Sequence, residues 1–139
     1  MYKIEEGTHG FTLTFGGTVY SEELKRWLVE SERALARRKP GFWVIVDMRE
    51  LLPLGPEARE IILRGQRLFR NAGLVRSAVI LQSSAIAAQF RQLAKDSLVY
   101  KNERYIDASK DTECLKRALD WVKSEIEPDL VQPETQRSI

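Results

Sequence analysis

Eight consecutive residues constrain this chain most: Phe42-Trp43-Val44-Ile45-Val46-Asp47-Met48-Arg49. Apolar and β-branched side chains run unbroken, then stop at a carboxylate and a guanidinium. β-Branched residues are stiff and pack well on a pleated surface. Because the run does not alternate with polar residues, it reads as a strand buried on both faces. Its charged end should then surface at the rim of a sheet. In open α/β sheets, ligands and partners bind outside the carboxyl ends of the strands. The run therefore points to a fold class and a place for a site, but to no chemistry. No catalytic or cofactor motif stands beside it.

The flanking pattern supplies the other elements. Residues 2–6 read as a short strand. Phe11, Leu13 and Phe15 alternate with Thr12 and Thr14, as in a half-buried strand. His9-Gly10 suits the hairpin turn between them, and the one histidine is read as a turn residue. Leu24, Trp27, Leu28, Ser31, Ala34 and Leu35 then follow helical spacing. Glu22 and Glu23 open that helix and Arg37, Arg38 and Lys39 close it, the order the helix dipole favours. Pro40-Gly41 ends it, and a strand is expected over 42–47. Pro56 suits the first position of a second helix. That helix carries the stripe Ala58, Ile61, Ile62, Gly65, Leu68, Phe69 and Ala72, with Gly73 as its cap. Gly65 within the stripe implies close backbone approach to a neighbour. Residues 77–81 form a further buried strand. Ser83 or Ser84 can cap a third helix whose inner face is Ile86, Phe90, Leu93 and Ala94. Tyr105 and Ile106 mark a last strand. Ser109 or Asp111 can cap a final helix with the stripe Leu115, Ala118, Leu119 and Val122. The expectation is a single α/β domain over 1–126, ordered ββαβαβαβα, with about five strands and about four helices. The opening hairpin makes its mostly parallel sheet mixed. Residues 127–139 are polar and aperiodic, and are expected to form a flexible C-terminal tail.

Composition excludes several classes. The 22 lysines and arginines nearly match the 20 acids, for a net charge of +2. That is no nucleic-acid footprint, and no recognised nucleic-acid module is present. No apolar run reaches the roughly 18 residues that a membrane span needs, and residues 1–6 lack the apolar core of a signal peptide. The single cysteine, Cys114, cannot form an internal disulfide. It is read as a partly buried apolar residue, and a cytoplasmic location is expected.

The order of elements, with Val44-Ile45-Val46-Asp47 ending the third strand before a helix, resembles the STAS-like superfamily, whose reference members are the SpoIIAA-like anti-sigma-factor antagonists. Residues 42–50, 76–84 and Glu103-Arg104-Tyr105-Ile106-Asp107 resemble its Sec14-like bacterial branch, which has no assigned activity. The resemblance spans about residues 4–122. It implies an α/β regulatory or interaction module. The antagonists carry a phosphorylated serine at the start of the helix after the Asp-ended strand. Here that loop reads Pro53-Leu54-Gly55-Pro56-Glu57, and no Ser or Thr lies between Asp47 and Ser77. The phosphoswitch has no acceptor hydroxyl, and Glu57 carries only about half the charge of a phosphate.

The candidate contact residues are Asp47, Arg49, Gly55, Pro56, Glu57, Ser83 and Ser84. Asp47 and Arg49, two apart, can point the same way, either toward a partner or simply toward each other. Ser83 and Ser84 precede a helix N-terminus, where they can serve as a cap or an anion site. Arg59, Arg64, Arg67, Arg70 and Arg76 make the second helix and its exit basic, as a solvated face or a patch for an anionic partner. Trp27, Phe42, Trp43, Phe69, Phe90 and Trp121 either fill the core or line an apolar pocket. No nucleophile–base pair and no metal-ligand set is visible, so a non-enzymatic module without cofactor is expected. Its expected partner is a protein, with a carrier or sensor of a small lipid-like or anionic ligand as the alternative. A hairpin edge or an apolar helix face could also support a homodimer.

Overall fold

The computed structural model describes residues 1–8, 10–84, 87, 88, 91, 92 and 101–128. Five strands form one sheet: β1 (Tyr2–Glu6), β2 (Gly10–Gly17), β3 (Phe42–Leu51), β4 (Leu74–Leu81) and β5 (Glu103–Asp107). They lie side by side in sequence order. β1 runs antiparallel to β2, and the remaining neighbours are parallel. Helix α1 (Ser21–Ala36) joins β2 to β3, α2 (Pro56–Asn71) joins β3 to β4, and α3 (Cys114–Ser124) follows β5. The mixed, mostly parallel sheet expected from the sequence is present.

The strand β3 stands in the middle and sorts its side chains onto two faces. Phe42, Val44 and Met48 enter one core, with Leu24, Trp27, Ile61 and Phe69 of α1 and α2. Ile45 enters the other, with Ala78, Ile80, Ile106 and the α3 residues Ala118, Trp121 and Val122. Right-handed crossovers that step along a sheet in one direction place their helices on one face, so α1 and α2 lie together. Between β4 and β5, Ser84, Ala87, Ala88, Arg91 and Gln92 are helical, and Ala87 is buried in the α1/α2 core. The rest of the expected inner face (Ile86, Phe90, Leu93, Ala94) lies outside the described residues, as does His9.

Two expectations about the elements need correction. First, β3 does not end at Asp47 but runs on to Leu51, because β2 continues to pair with it through Gly16–Glu50 and Gly17–Leu51. Second, the buried stripe of α3 is Cys114, Ala118, Trp121 and Val122, whereas Leu115 and Leu119 are exposed. Both sets obey helical spacing. The observed one buries the larger side chain and lets Trp121 Nε1 donate to the Ser77 carbonyl at 3.0 Å. At the boundary with the expected tail, Glu127 accepts from Arg104 Nε at 2.6 Å and Nη2 at 2.9 Å, and Pro128 is buried. Residues 129–139 lie outside the description.

The aromatic residues on the α1/α2 face pack against one another. Phe11 meets Phe42 and Phe69 edge-on at 5.5 Å, and Phe15 meets Trp27 at 5.2 Å. Trp43 and Trp121 belong to the opposite face. These side chains fill the core and do not enclose a common chamber, and Phe90 is not described. A cysteine expected to be partly buried, Cys114, is buried fully.

Gly65 shows why α1 and α2 approach so closely. A Cβ at that position would stand 2.0 Å from Cη2 and 2.3 Å from Cζ3 of Trp27. The indole therefore occupies the space that any other residue needs. Alanine favours the helix by about 1 kcal/mol over glycine, but overpacking of this kind costs about 1–3 kcal/mol. Gly65→Ala is expected to lose about 1 kcal/mol net in urea unfolding, and less in a Trp27→Phe background. Equal losses in the two backgrounds would show that the indole is not the obstacle.

Candidate functional site

The carboxyl ends of the parallel strands form one rim, built from the loops after β2, β3, β4 and β5. At β3, the register against β2 slips: Thr14 pairs with Asp47, but Gly16 pairs with Glu50. One extra β3 residue is accommodated there, a bulge that leaves a backbone group without its ladder partner. Asp47 supplies the replacement. Its Oδ1 accepts from the Arg49 backbone N–H at 3.1 Å and from Arg49 Nε at 3.0 Å, and its Oδ2 accepts from Nη2 at 2.7 Å. The hydrogen bonds from Arg49 hold the Asp47 carboxyl below its ordinary range, against the cost of burial. The same pairing pushes the Arg49 guanidinium up. Asp47 and Arg49 do point the same way, and they point at each other. The remaining edge of Arg49 reaches the Cys114 sulfur at 3.7 Å.

A second carboxylate closes the neighbouring part of the rim. Asp107, at the end of β5, accepts from the Ser109 backbone N–H at 2.9 Å and hydroxyl at 2.6 Å, and from the Ser84 hydroxyl. Burial works against its ionisation. The Ser109 and Ser84 hydroxyls, the Ser109 N–H and Lys110 outweigh that, and the carboxyl lies below its ordinary range. Ser84 thus pairs with a carboxylate. The carbonyl of Ser83 accepts the Ala87 N–H at 3.0 Å, the first bond of the helix that follows. Asp111 accepts the Glu113 N–H at 2.8 Å ahead of α3 and is also bonded by Arg117 Nε.

The sequence candidates therefore divide. Asp47 and Arg49 lie on the α3 face of the sheet. Gly55, Pro56 and Glu57 are exposed at the start of α2, on the other face. The arginines of α2 and of the strand that follows it also separate. Arg59, Arg64, Arg67 and Arg70 are exposed, whereas Arg76 turns to the α3 face and donates to the Val122 carbonyl at 2.9 Å.

Sequence reasoning missed the most exposed apolar groups of the rim. Tyr20 is 68% exposed and Leu52 is 53% exposed. Their loops are tied by the Leu52 N–H, which donates to the Gly17 carbonyl at 3.1 Å. Tyr20 is the N-cap residue of α1, and Gly55 that of α2; neither gives a side-chain cap bond. Ser, Thr, Asp and Asn dominate at such positions. An aromatic at an N-cap was the available signal.

Under the α1/α2 face lies a cleft of about 310 Å³, lined by Leu13, Val44, Val46, Phe69 and Leu74, with Arg70 and Glu103 among its polar groups. Glu103 accepts from the hydroxyls of Ser77, at 2.8 Å, and Tyr105. Burial, with Glu103 beside it, pushes the Tyr105 phenol up. Among the described residues, no helix is long and apolar enough to cross a membrane.

The Asp47 carboxylate is held lower in the folded chain than its ordinary value of 3.8. Its contribution is fully present above that pH and is lost as pH falls through the folded value. Asp47→Asn is expected to cost about 1–2 kcal/mol in urea unfolding at neutral pH, and clearly less at about pH 3. A penalty independent of pH would show that the charge of Asp47 does not support the bulge.

The sequence matches no protein-family model and no curated relative. Its likeness is to a solved structure: an uncharacterized protein of the DUF3478 family from Shewanella loihica PV-4, with a SpoIIAA-like fold. The two share 21% identity and a TM-score of 0.65, over 88% of this chain and 92% of the other. The chain accordingly has a SpoIIAA-like α/β fold.

Proposed function

We propose that this chain is a non-enzymatic interaction module that docks a protein partner at the rim over the ends of β2 and β3. The observation that carries this is the joined pair of loops presenting Tyr20 and Leu52. Single exposed apolar residues are ordinary. Here a tyrosine and a leucine sit on loops held by a backbone hydrogen bond, flanked by Pro53 and Pro56, so little conformational entropy is lost on docking. Tyrosine is among the residues that dominate binding energy at interfaces. Glu22, Glu50 and Glu57 are exposed nearby, which suits a partner whose apolar contact is bordered by lysine or arginine. Asp47 and Arg49 support this rim from beneath by bracing the bulge. Without a hydroxyl between Asp47 and Ser77, any control of docking acts by something other than phosphorylation of the α2 start. Quantitative co-purification from the source cell tests this reading. Leu52→Ser and Tyr20→Ser are expected to reduce one or more partners at least about tenfold, the effect of about 1.4 kcal/mol. Leu63→Ser, on the outer face of α2, should leave them unchanged. Recovery of the same proteins at the same level with all three variants would overturn it.

A second reading, a carrier or sensor of a small apolar ligand, is favoured by the 310 Å³ cleft with its apolar walls and the Ser77–Glu103–Tyr105 cluster. Pockets of this volume and character suit small ligands. Native mass spectrometry of gently purified protein should show a bound mass that Val46→Phe displaces. Only the unliganded mass, from several expression hosts, would remove this reading.

A further inference from the structure

The opposite end of the sheet has a different character. The loops that precede β2, β3 and β4 meet there, with the last turn of α3. They border an open groove of about 730 Å³. Arg37, Arg38 and Lys39 enter it from the end of α1, Arg76 from β4 and Lys123 from α3, against the carboxylate of Glu6 and that of Glu125, which pairs with Arg76. Trp43 and Pro40 are among its walls.

The frame of this groove is built, not loose. The Gly41 N–H donates to the Gly73 carbonyl at 2.9 Å. Gly73 has φ 111°, and a Cβ there would stand 2.5 Å from Pro40 Cβ. The Arg38 side chain is only 13% exposed. Its Nη1 and Nη2 donate to the carbonyls of Gly7 and Thr8, each at 2.5 Å, and the guanidinium lies over the Phe11 ring at 5.3 Å. Arg76 is fixed by the Val122 carbonyl at 2.9 Å and Glu125 at 2.8 Å. Two guanidiniums are thus immobilised at the walls, while Arg37, Lys39 and Lys123 remain exposed. Glu6 stands 3.8 Å from Arg37 and 3.4 Å from Arg38. Among the described residues Lys39 and Lys123 make no ion pair, and the Lys123 ammonium faces the Trp43 ring at 5.8 Å.

Collecting like charge in one concave place costs self-repulsion, and low-dielectric walls focus the field there. A chain with a net charge of only +2 could have dispersed these cations. We infer that this groove binds a small anion with several negative charges, of the phosphate-ester or oligophosphate class. The exposed Arg37 guanidinium and the Lys39 and Lys123 ammoniums can meet tetrahedral phosphate oxygens, while Arg38 and Arg76, whose N–H groups are engaged by carbonyls and carboxylates, add field to the groove. The inference stands apart from docking at the rim, which lies at the other end of the strands.

Titration calorimetry with tripolyphosphate on the full chain tests it. Saturable one-to-one binding is expected. It should weaken at least about tenfold in K39E/K123E, and also when ionic strength rises from about 0.01 M to about 0.15 M, as screening shortens from about 30 Å to about 8 Å. Lys123 supports the end of α3, so the double variant is expected to lose some stability. K39E alone, which removes no ion pair and lies beyond α1, should keep the wild-type unfolding midpoint while weakening binding severalfold, which separates lost binding from lost folding. Co-sedimentation with phosphatidic acid vesicles, against phosphatidylcholine vesicles, identifies the source. Sedimentation that K39E/K123E abolishes assigns a lipid phosphate, and tripolyphosphate binding without sedimentation assigns a soluble one. Absence of tripolyphosphate binding, or equal affinity in the variant, would overturn the inference.

Discussion

Two-sided burial of β3 is the constraint on which the rest of this molecule depends. A strand with Val44 in one core and Ile45 in the other must have helices on both faces. The crossovers through α1 and α2 cover one face together, and α3, which follows the last strand, is left for the other. Both layers then seat against the same short run of residues. The close contact of Gly65 with Trp27 belongs to this constraint. The two helices share one face of a narrow sheet, and a bulky indole lies between them where a side chain on Gly65 would otherwise stand.

The bulge in β3 shows how a charged residue near a sheet rim can be committed to structure. Extending β3 beyond Asp47 keeps its pairing with β2 but breaks the register. A backbone N–H freed from the ladder needs an acceptor. Asp47 provides one and the Arg49 side chain neutralises it, so the carboxylate arrives at the rim already engaged. Asp107, taken up by Ser84 and Ser109, repeats the theme one strand further on. What the rim leaves open to a partner is less its charge than the apolar loops that these pairs hold in place.

The succession of strands and helices along the chain, the central place of residues 42–46, the α1 and α2 stripes and the close approach at Gly65 were all legible, because each rests on a local period or a single residue's geometry. The far end of β3 was not, since residues 48–51 join the strand through pairing with Gly16 and Gly17, which no local pattern announces. The face of α3 was ambiguous for a different reason. Leu115 and Leu119 satisfy the helical period as well as Cys114 and Trp121 do, and the choice between them rests on tertiary partners: the apolar seat for Trp121 against the sheet and the acceptor at Ser77. At the rim, the sequence drew attention to charged residues. The distinguishing feature was instead Tyr20 at a position where a capping side chain is the rule.

The near-neutral composition conceals a strong polarity from end to end. Each helix runs antiparallel to the strands it covers, so every helix start lies at the rim and every helix end at the opposite edge. The dipole favours acids at starts and bases at ends. Applied helix by helix, it places Glu22, Glu23 and Glu57 at one end and Arg33, Arg70 and Lys123 at the other. Local helix stabilisation thus accounts for part of the basic groove. Arg76, although it belongs to a strand, also serves a helix end: it donates to the Val122 carbonyl in the last turn of α3 and pairs with Glu125 at its C-cap. Lys39 is different, since it lies beyond the end of α1 and makes no ion pair among the described residues. It is the part of the charge pattern that calls for an anion.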